Sequence, residues 1–302
     1  MLETNANMMK NYPFFAFLLI VLCIAGCGPL ESEEEKKIKE NEEEIQKYLT
    51  NTGLQAQKTS SGLYYVITPG TGSRKPQTGE TVSVHYVFSR LDGYKIDSSL
   101  VSLGRPYLFP IGAGVNPAGI EEGIKLMKEG DKATLIVPSI LGYFNRSFDQ
   151  LPAYSVIRYD VTLLSTRSEE EQITEYIEKN KLTVTQKTDA GVRIVMTQTN
   201  ATGALPKAGQ LIEVKYKGSL LRDIRKVVSG QVIYEPTFDS GTFSFNLGGN
   251  VVTGFNDGIS KLRVGEKAKL IFPSSLGYGS TGTGVIPPFT PLVFEVEVLS
   301  VQ

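Results

Sequence analysis

The chain says the same thing twice. Residues 45–62 read IQKYLTNTGLQAQKTSSG, and residues 173–191 read ITEYIEKNKLTVTQKTDAG. Ile45, Tyr48 and Leu54 return as Ile173, Tyr176 and Leu182 at an offset of 128. Downstream, Tyr86 is matched by Tyr216. Gly130, Tyr143, Pro152 and Tyr159 are then matched by Gly265, Tyr278, Pro287 and Phe294, all at an offset of 135. A repeat of this length is a duplicated domain, so whatever fold one half adopts the other half must also reach. In a chain of 302 residues this leaves room for two domains and an N-terminal segment.

Each copy opens with a short amphipathic helix, carried by Ile45, Tyr48 and Leu49 and by Ile173, Tyr176 and Ile177 at i, i+3, i+4 spacing. The rest reads as strands: VSVHY and IEVKY alternate, as do KATLIV, KAKLIF and the C-terminal LVFEVEVL. One short helix interrupts them. In the second copy Phe255, Ile259 and Leu262 share a face, with Gly265 placed to end the helix; Ile120, Ile124, Met127 and Gly130 fill these slots in the first. Antiparallel strands with one helix against a single face predict an α+β unit, used twice. The expected division is 1–27 a leader, 28–57 a charged tether with a short helix, 58–167 the first domain, 168–185 a linker helix and 186–302 the second domain.

The leader has its own logic. Lys10 precedes an apolar run of 12 residues from Phe14 to Ala25, too short to span a bilayer of about 30 Å as a helix but suited to a signal-peptide core. It ends in Leu22-Cys23-Ile24-Ala25-Gly26-Cys27, which resembles a bacterial lipobox. The resemblance implies that Cys27 is lipidated as the first mature residue and ties the protein to the membrane. An ordinary signal peptide cut nearby and an uncleaved anchor are the alternatives. Cys23 leaves with the leader, so a lipidated chain keeps no free thiol and no disulfide. Gly28 fits sorting to the outer membrane, with the domains facing the periplasm or the exterior. Residues 31–44 hold eight Glu and three Lys, the composition of a solvated helix or tether. A net charge of −1 without a basic cluster gives nucleic acid no electrostatic purchase.

Most reaction chemistry is excluded by what is missing. His85 is the one histidine, it lies in a strand of the first copy, and it reads as a structural or surface residue and not as a base. The second copy therefore cannot assemble a Ser-His-Asp triad or a histidine-rich metal site. GYGSTGTG at 277–284 lacks the lysine of a phosphate loop and runs into Pro287-Pro288. What is left is one carboxylate, Asp239, among aromatic and apolar residues, of which Phe245 reads as plain core.

Tyr216, Phe238-Asp239-Ser240, Phe245-Asn246-Leu247-Gly248, Val251-Val252-Thr253-Gly254-Phe255, Leu276-Gly277-Tyr278-Gly279, Val285-Ile286-Pro287-Pro288 and Leu292-Val293-Phe294-Glu295-Val296 follow one another in the second copy. In order and spacing this set resembles the FKBP family of peptidyl-prolyl cis/trans isomerases, and the first copy is similar but eroded. The resemblance implies an antiparallel sheet curled around one short helix, a proline-binding pocket, proline-containing polypeptide clients, and no cofactor or metal. Carried over by position, Tyr216, Phe238, Phe243, Val251, Ile286 and Phe294 would bind substrate. Phe255 would form the floor, where the family often has Trp. The Val252 N–H and the Tyr278 hydroxyl would bond substrate carbonyls. Asp239 would sit at the edge, tied to Tyr216, and polarise the twisted amide, so that the resemblance implies Asp239, Val252, Phe255 and Tyr278 as the catalytic set.

Such a site needs no nucleophile. Rotation about a peptide bond faces a barrier of about 18–20 kcal/mol because the amide is resonance-stabilised. An enzyme lowers it by binding the twisted amide better than either planar form.

The copies diverge where this matters. The first copy has Ile96, Asp97, Tyr107, Asn116, Pro117, Ile120, Leu151 and Tyr159 at the corresponding positions, and Pro117 stands where Val252 would supply an N–H. FNRSFDQL after Tyr143 lacks the glycines of its counterpart. The first domain is therefore expected to be weak or inert, a spacer, a dimerisation surface or a substrate-holding module. The second copy carries an insertion at 220–237, expected to lengthen a hairpin around Ser229-Gly230 as a client contact, and a shortened loop bearing Phe243. The rival reading is a lipid-anchored chaperone or assembly factor that uses these folds without turnover. The sequence does not set the oligomeric state.

Overall fold

The computed structural model describes residues 31–99, 105–114, 117–148, 150–228 and 231–302; the leader, Cys27, Asn116 and Ser229-Gly230 lie outside them. In chain order the elements of the first half are α1 (Glu33–Thr52), β1 (Gln57–Lys58), β2 (Tyr64–Thr68), β3 (Thr81–Arg90), β4 (Lys95–Ser98), β5 (Tyr107–Pro110), α2 (Ala118–Leu126), β6 (Lys132–Val137) and β7 (Ile157–Arg167). The second half has α3 (Glu169–Lys179), β8 (Gln186–Lys187), β9 (Arg193–Gln198), β10 (Leu211–Val228), β11 (Gln231–Asn246), α4 (Thr253–Ile259), β12 (Lys267–Phe272) and β13 (Leu292–Val301). The sheets run β1-β2-β6-β7-β3-β4, with β5 also on β3, and β8-β9-β12-β13-β10-β11. Every pairing is antiparallel. Both halves are α+β, as the repeat requires.

Each sheet is buried on both faces, not one. α2 and α4 fill the concave side: Ile120 and Ile124 meet Leu135 and Val137, and Phe255 and Ile259 meet Leu270 and Phe272. On the other side α1 lays Ile45, Tyr48 and Leu49 over Tyr64, Ile136 and Val156, and α3 lays Ile173, Tyr176 and Ile177 over Val195, Ile271 and Val293. This explains why Leu135-Ile136-Val137 and Leu270-Ile271-Phe272 are buried as continuous runs where alternation was expected.

α1 extends through the charged run. It starts at Ser32, which accepts from the Glu35 N–H while the Glu35 carboxylate accepts from the Ser32 N–H, and Ser168 and Glu171 start α3 in the same way. The central helices are shorter than expected. α4 ends at Ile259, before Leu262, and Gly265 belongs to the next turn, with φ of +83° and its N–H donated to the Val298 carbonyl. A left-handed backbone there is what reserves the position for glycine.

The insertion lengthens β10 and β11, with Val228 opposite Gln231. Leu220 to Asp223 bulge out against the single Pro236, and Leu221 packs onto the α3 side. Tyr234 on this hairpin meets the first domain, under the Arg105 guanidinium at 4.4 Å from the ring centre. Phe243 is not on a loop. With six residues fewer than the first copy the chain has no slack, and β11 pairs on through Phe243 opposite Val214, whereas β4 and β5 are separate strands.

Candidate active site

Tyr216, Phe238, Asp239, Phe243, Val251, Val252, Phe255, Tyr278 and Phe294 line one cavity of about 470 Å³ between α4 and the concave sheet, together with Asn250. Tyr216 comes from β10, Phe238, Asp239 and Phe243 from β11, and Phe294 from β13; Val252 caps α4 and Phe255 sits in its first turn. Phe255 is 3% exposed, with the Phe294 ring at 5.1 Å and those of Phe245, Phe243 and Tyr216 at 5.7, 5.9 and 6.4 Å. Ile286 does not join the lining. It is buried in the core next to the bridge it forms with Thr283. Phe245 is likewise core, beneath Phe243.

The polar groups are few. The Tyr216 hydroxyl donates to Asp239 Oδ2 at 2.6 Å, and this bond, reinforced by burial, pushes the phenol up to about 12. Neither the Val252 N–H nor the Tyr278 hydroxyl has a hydrogen-bond partner among the described residues. An apolar cleft with two unused donors on its lining residues can take a chain that offers carbonyl oxygens.

Two supporting residues escaped the sequence reading. Asn256 accepts from the Gly248 N–H at 2.9 Å and donates to the carbonyls of Gly249 and Val251, which fixes the loop leading to Val252. Its signal was a polar residue directly after the floor aromatic. Gly218 lies under the cavity wall, where a Cβ would come within 2.6 Å of the Phe238 ring and 2.9 Å of Phe294. The first domain has Phe88 at that position, stacked on Tyr159 at 4.6 Å, and Ile96 in place of Phe238. One ring's volume has moved between neighbouring strands.

The first domain also holds a cavity, of about 540 Å³, lined among others by Tyr86, Ile96, Asp97, Tyr107, Ile120, Tyr143 and Tyr159. Ile120 at the floor opens it down to Ile124 and Val161. The Tyr86 hydroxyl donates to Asp97 at 2.6 Å, as its counterpart does. The donors differ. Pro117 caps α2 with no N–H. Tyr159, where the second domain has Phe294, is held well above the usual phenol range by burial and then by its neighbour Tyr143. Phe148 covers Tyr143 edge-on at 4.7 Å. Pro117 and Leu151 are not part of the lining. His85, outside the cavity, shares a hydrogen bond with the Ser99 hydroxyl at 3.0 Å, which gives it a structural partner.

A family model described as FKBP-type peptidyl-prolyl cis-trans isomerase matches residues 72–164 and 203–299. Peptidyl-prolyl cis-trans isomerase FKBP9 of Bos taurus is 30% identical over 238 residues, 77% of this chain and 36% of its own. FKBP-type peptidyl-prolyl cis-trans isomerase FkpA of Aeromonas hydrophila is 35% identical over 138 residues, 45% of this chain and 50% of its own. The crystal structure of FkpA from Escherichia coli is 29% identical with a TM-score of 0.39, and the match covers 45% of this chain and 63% of that one. The chain spans 36% to 38% of the length of the FKBP9 relatives.

Proposed function

This chain belongs to the FKBP-type peptidyl-prolyl cis-trans isomerase family, and on that premise we propose that its second domain interconverts the cis and trans forms of X–Pro bonds in polypeptide clients. The observation that carries the proposal is the pair of unused donors, the Val252 N–H and the Tyr278 hydroxyl, at one aromatic cavity. In X–Pro both isomers are populated, yet they exchange in tens to hundreds of seconds. A proline ring on Phe255, between Tyr216, Phe243 and Phe294, leaves its amide in a dry site that disfavours the polar planar form. The two donors then hold the carbonyls on either side in the twisted geometry, where their bonds are better made than in either planar state. Lowering the barrier by about 4 kcal/mol gives roughly a thousandfold.

The first domain, in this reading, holds client chain without turning it over. Pro117 offers no N–H, and Tyr143 sits beside Tyr159 and under Phe148, while the cavity itself persists. The sequence around Cys27 supports a lipid anchor in a bacterial envelope, the outer membrane favoured, with the domains facing the periplasm or the exterior and acting on extracytoplasmic proteins. Cys27→Ser should then release the protein from the membrane fraction; a variant that stays bound rules out this anchor.

The deciding assay is the isomerisation rate of an X–Pro tetrapeptide with soluble residues 28–302, beside the same chain carrying Tyr278→Phe and Phe255→Ala. Acceleration by the parent and its loss in the variant supports the enzyme. A folded parent with no effect makes the cavity a binding surface and favours the non-catalytic chaperone.

A further inference from the structure

We propose that Glu169, in the first turn of α3, is a positioning residue for Tyr278, so that the helix before the second domain sets the geometry of that domain's site. The inference rests on the isomerase reading for its kinetic half and on bonding geometry alone for the rest.

Tyr278 has no polar partner among the described residues to fix it from within the cavity, so its placement comes from behind. Ser274 begins the single 3-10 turn Ser274–Leu276 that leads to it, and is 4% exposed. The Ser274 carbonyl accepts from the N–H groups of both Gly277 and Gly279, each at 2.8 Å, so the two amides that flank Tyr278 hang from this one residue. The other side of Ser274 is held by Glu169. Its Oε2 accepts from the Ser274 N–H at 2.5 Å and its Oε1 from the Ser274 hydroxyl at 2.7 Å. One carboxylate, on a helix outside both segments that match the family model, thus satisfies both donors of the residue on which the Tyr278 turn is built.

An acidic residue in a first turn also complements the helix dipole, which by itself would leave Glu169 a mere helix stabiliser. The neighbours show that more is involved. Glu170 pairs with Arg193 on β9, and Glu171 with Arg74 of the first domain, so three consecutive carboxylates each hold a different element.

The first copy makes the comparison. Asn41 of α1 stands at the offset of 128 that relates the two outer helices, and its Oδ1 accepts from the Ser139 N–H at 2.8 Å. Its amide donates elsewhere, to the Tyr154 carbonyl, and the buried Ser139 hydroxyl is left with no partner. The anchor is doubled behind Tyr278 and single behind Tyr143.

The experiment compares Glu169→Ala, Glu169→Gln and the control Glu170→Gln in residues 28–302. NMR hydrogen exchange at Gly277 and Gly279 is measured with tetrapeptide kcat and KM. Glu169→Ala should speed exchange at both amides and lower kcat by about tenfold, the change expected when hydrogen bonds to a charged acceptor are lost, with KM little changed. Glu169→Gln, which keeps one acceptor, should recover part of both, and the control should change neither. If Glu169→Ala does not fold, Ser274→Ala removes the hydroxyl bond alone and should show the same pattern at smaller size. A folded variant with parental exchange and kcat overturns the proposal. Should the parent prove inactive, the exchange rates still decide whether Glu169 holds the turn.

Discussion

The Tyr216 hydroxyl and Asp239 Oδ2 are 2.6 Å apart, and Tyr86 and Asp97 keep the same bond at the same length in the first domain. The pair is thus common to both copies, whereas the Val252 N–H has no counterpart at Pro117, so the pair belongs to the pocket shape that the two domains share. It fixes the Tyr216 ring, edge-on to Phe243 at 5.1 Å, as one wall of the cavity.

Tyr216→Phe and Asp239→Asn should therefore act as one change. Each breaks the same bond, and a hydrogen bond to a charged group is worth about 1.5–3 kcal/mol at most and less where Asp239 is exposed. We expect each to lower kcat/KM by about tenfold and the double variant to be no worse than either single one. Multiplying losses in the double variant would show that Asp239 acts on the substrate independently of Tyr216.

Val252→Pro places the first domain's Pro117 at the matching position of the second. Val252 has φ of −58°, which proline adopts without strain, and its N–H is unused within the fold. Stability should stay near that of the parent, while kcat/KM drops by about 100-fold through loss of one oriented donor. Thermal unfolding and the tetrapeptide assay together test this. Full activity in the proline variant would remove Val252 from the site.

The repeat, the α+β class and most of the cavity lining were legible in the sequence because they rest on local spacing, and four lining positions, Tyr216, Phe243, Tyr278 and Phe294, keep an aromatic ring in both copies. What was not legible depends on elements far apart in the chain. Ile286 reads like a wall residue, but the turn from Thr283 folds it back into the core. Phe243 reads as a loop residue because a strand pairing set by missing slack leaves no local mark. α1 and α3 cover the outer faces of the sheets, and only the packed fold shows why Ile136 and Ile271 are as apolar as their inward neighbours. Nor does any motif announce Glu169, which acts on Ser274 across 105 positions of sequence.

Gly218→Ala tests the ring exchange between strands. The added methyl would meet the Phe238 and Phe294 rings at under 3 Å, so one of them must move. Overpacking of this kind costs about 1–3 kcal/mol. The unfolding midpoint should fall, and the tetrapeptide KM should rise because both rings line the cavity. Gly218→Ala combined with Phe238→Ile, which is closer to the first domain's arrangement, should recover stability. If the single variant is as stable as the parent and binds normally, the wall is looser than these distances imply.

Acid should loosen the hold of α3 on the first domain. The Arg74 guanidinium, with the Ser168 N–H and hydroxyl, lowers the Glu171 carboxyl to about 2 from an ordinary 4.5. A depressed folded-state value means the stabilisation is fully present above pH 4.5 and is lost as pH falls from there toward 2. The two side chains are 34% and 43% exposed, so solvent screening limits the contribution to about 1 kcal/mol. Denaturant unfolding of the parent and of Glu171→Gln should differ by that amount at pH 6 and converge by pH 3 to within about half of it, because the unfolded chain, whose carboxyl titrates at the ordinary 4.5, has by then taken up its proton while the folded carboxylate is still charged. A constant difference between the two proteins across this range would mean that Glu171 acts through helix capping by its neutral form, and not through its bond to Arg74.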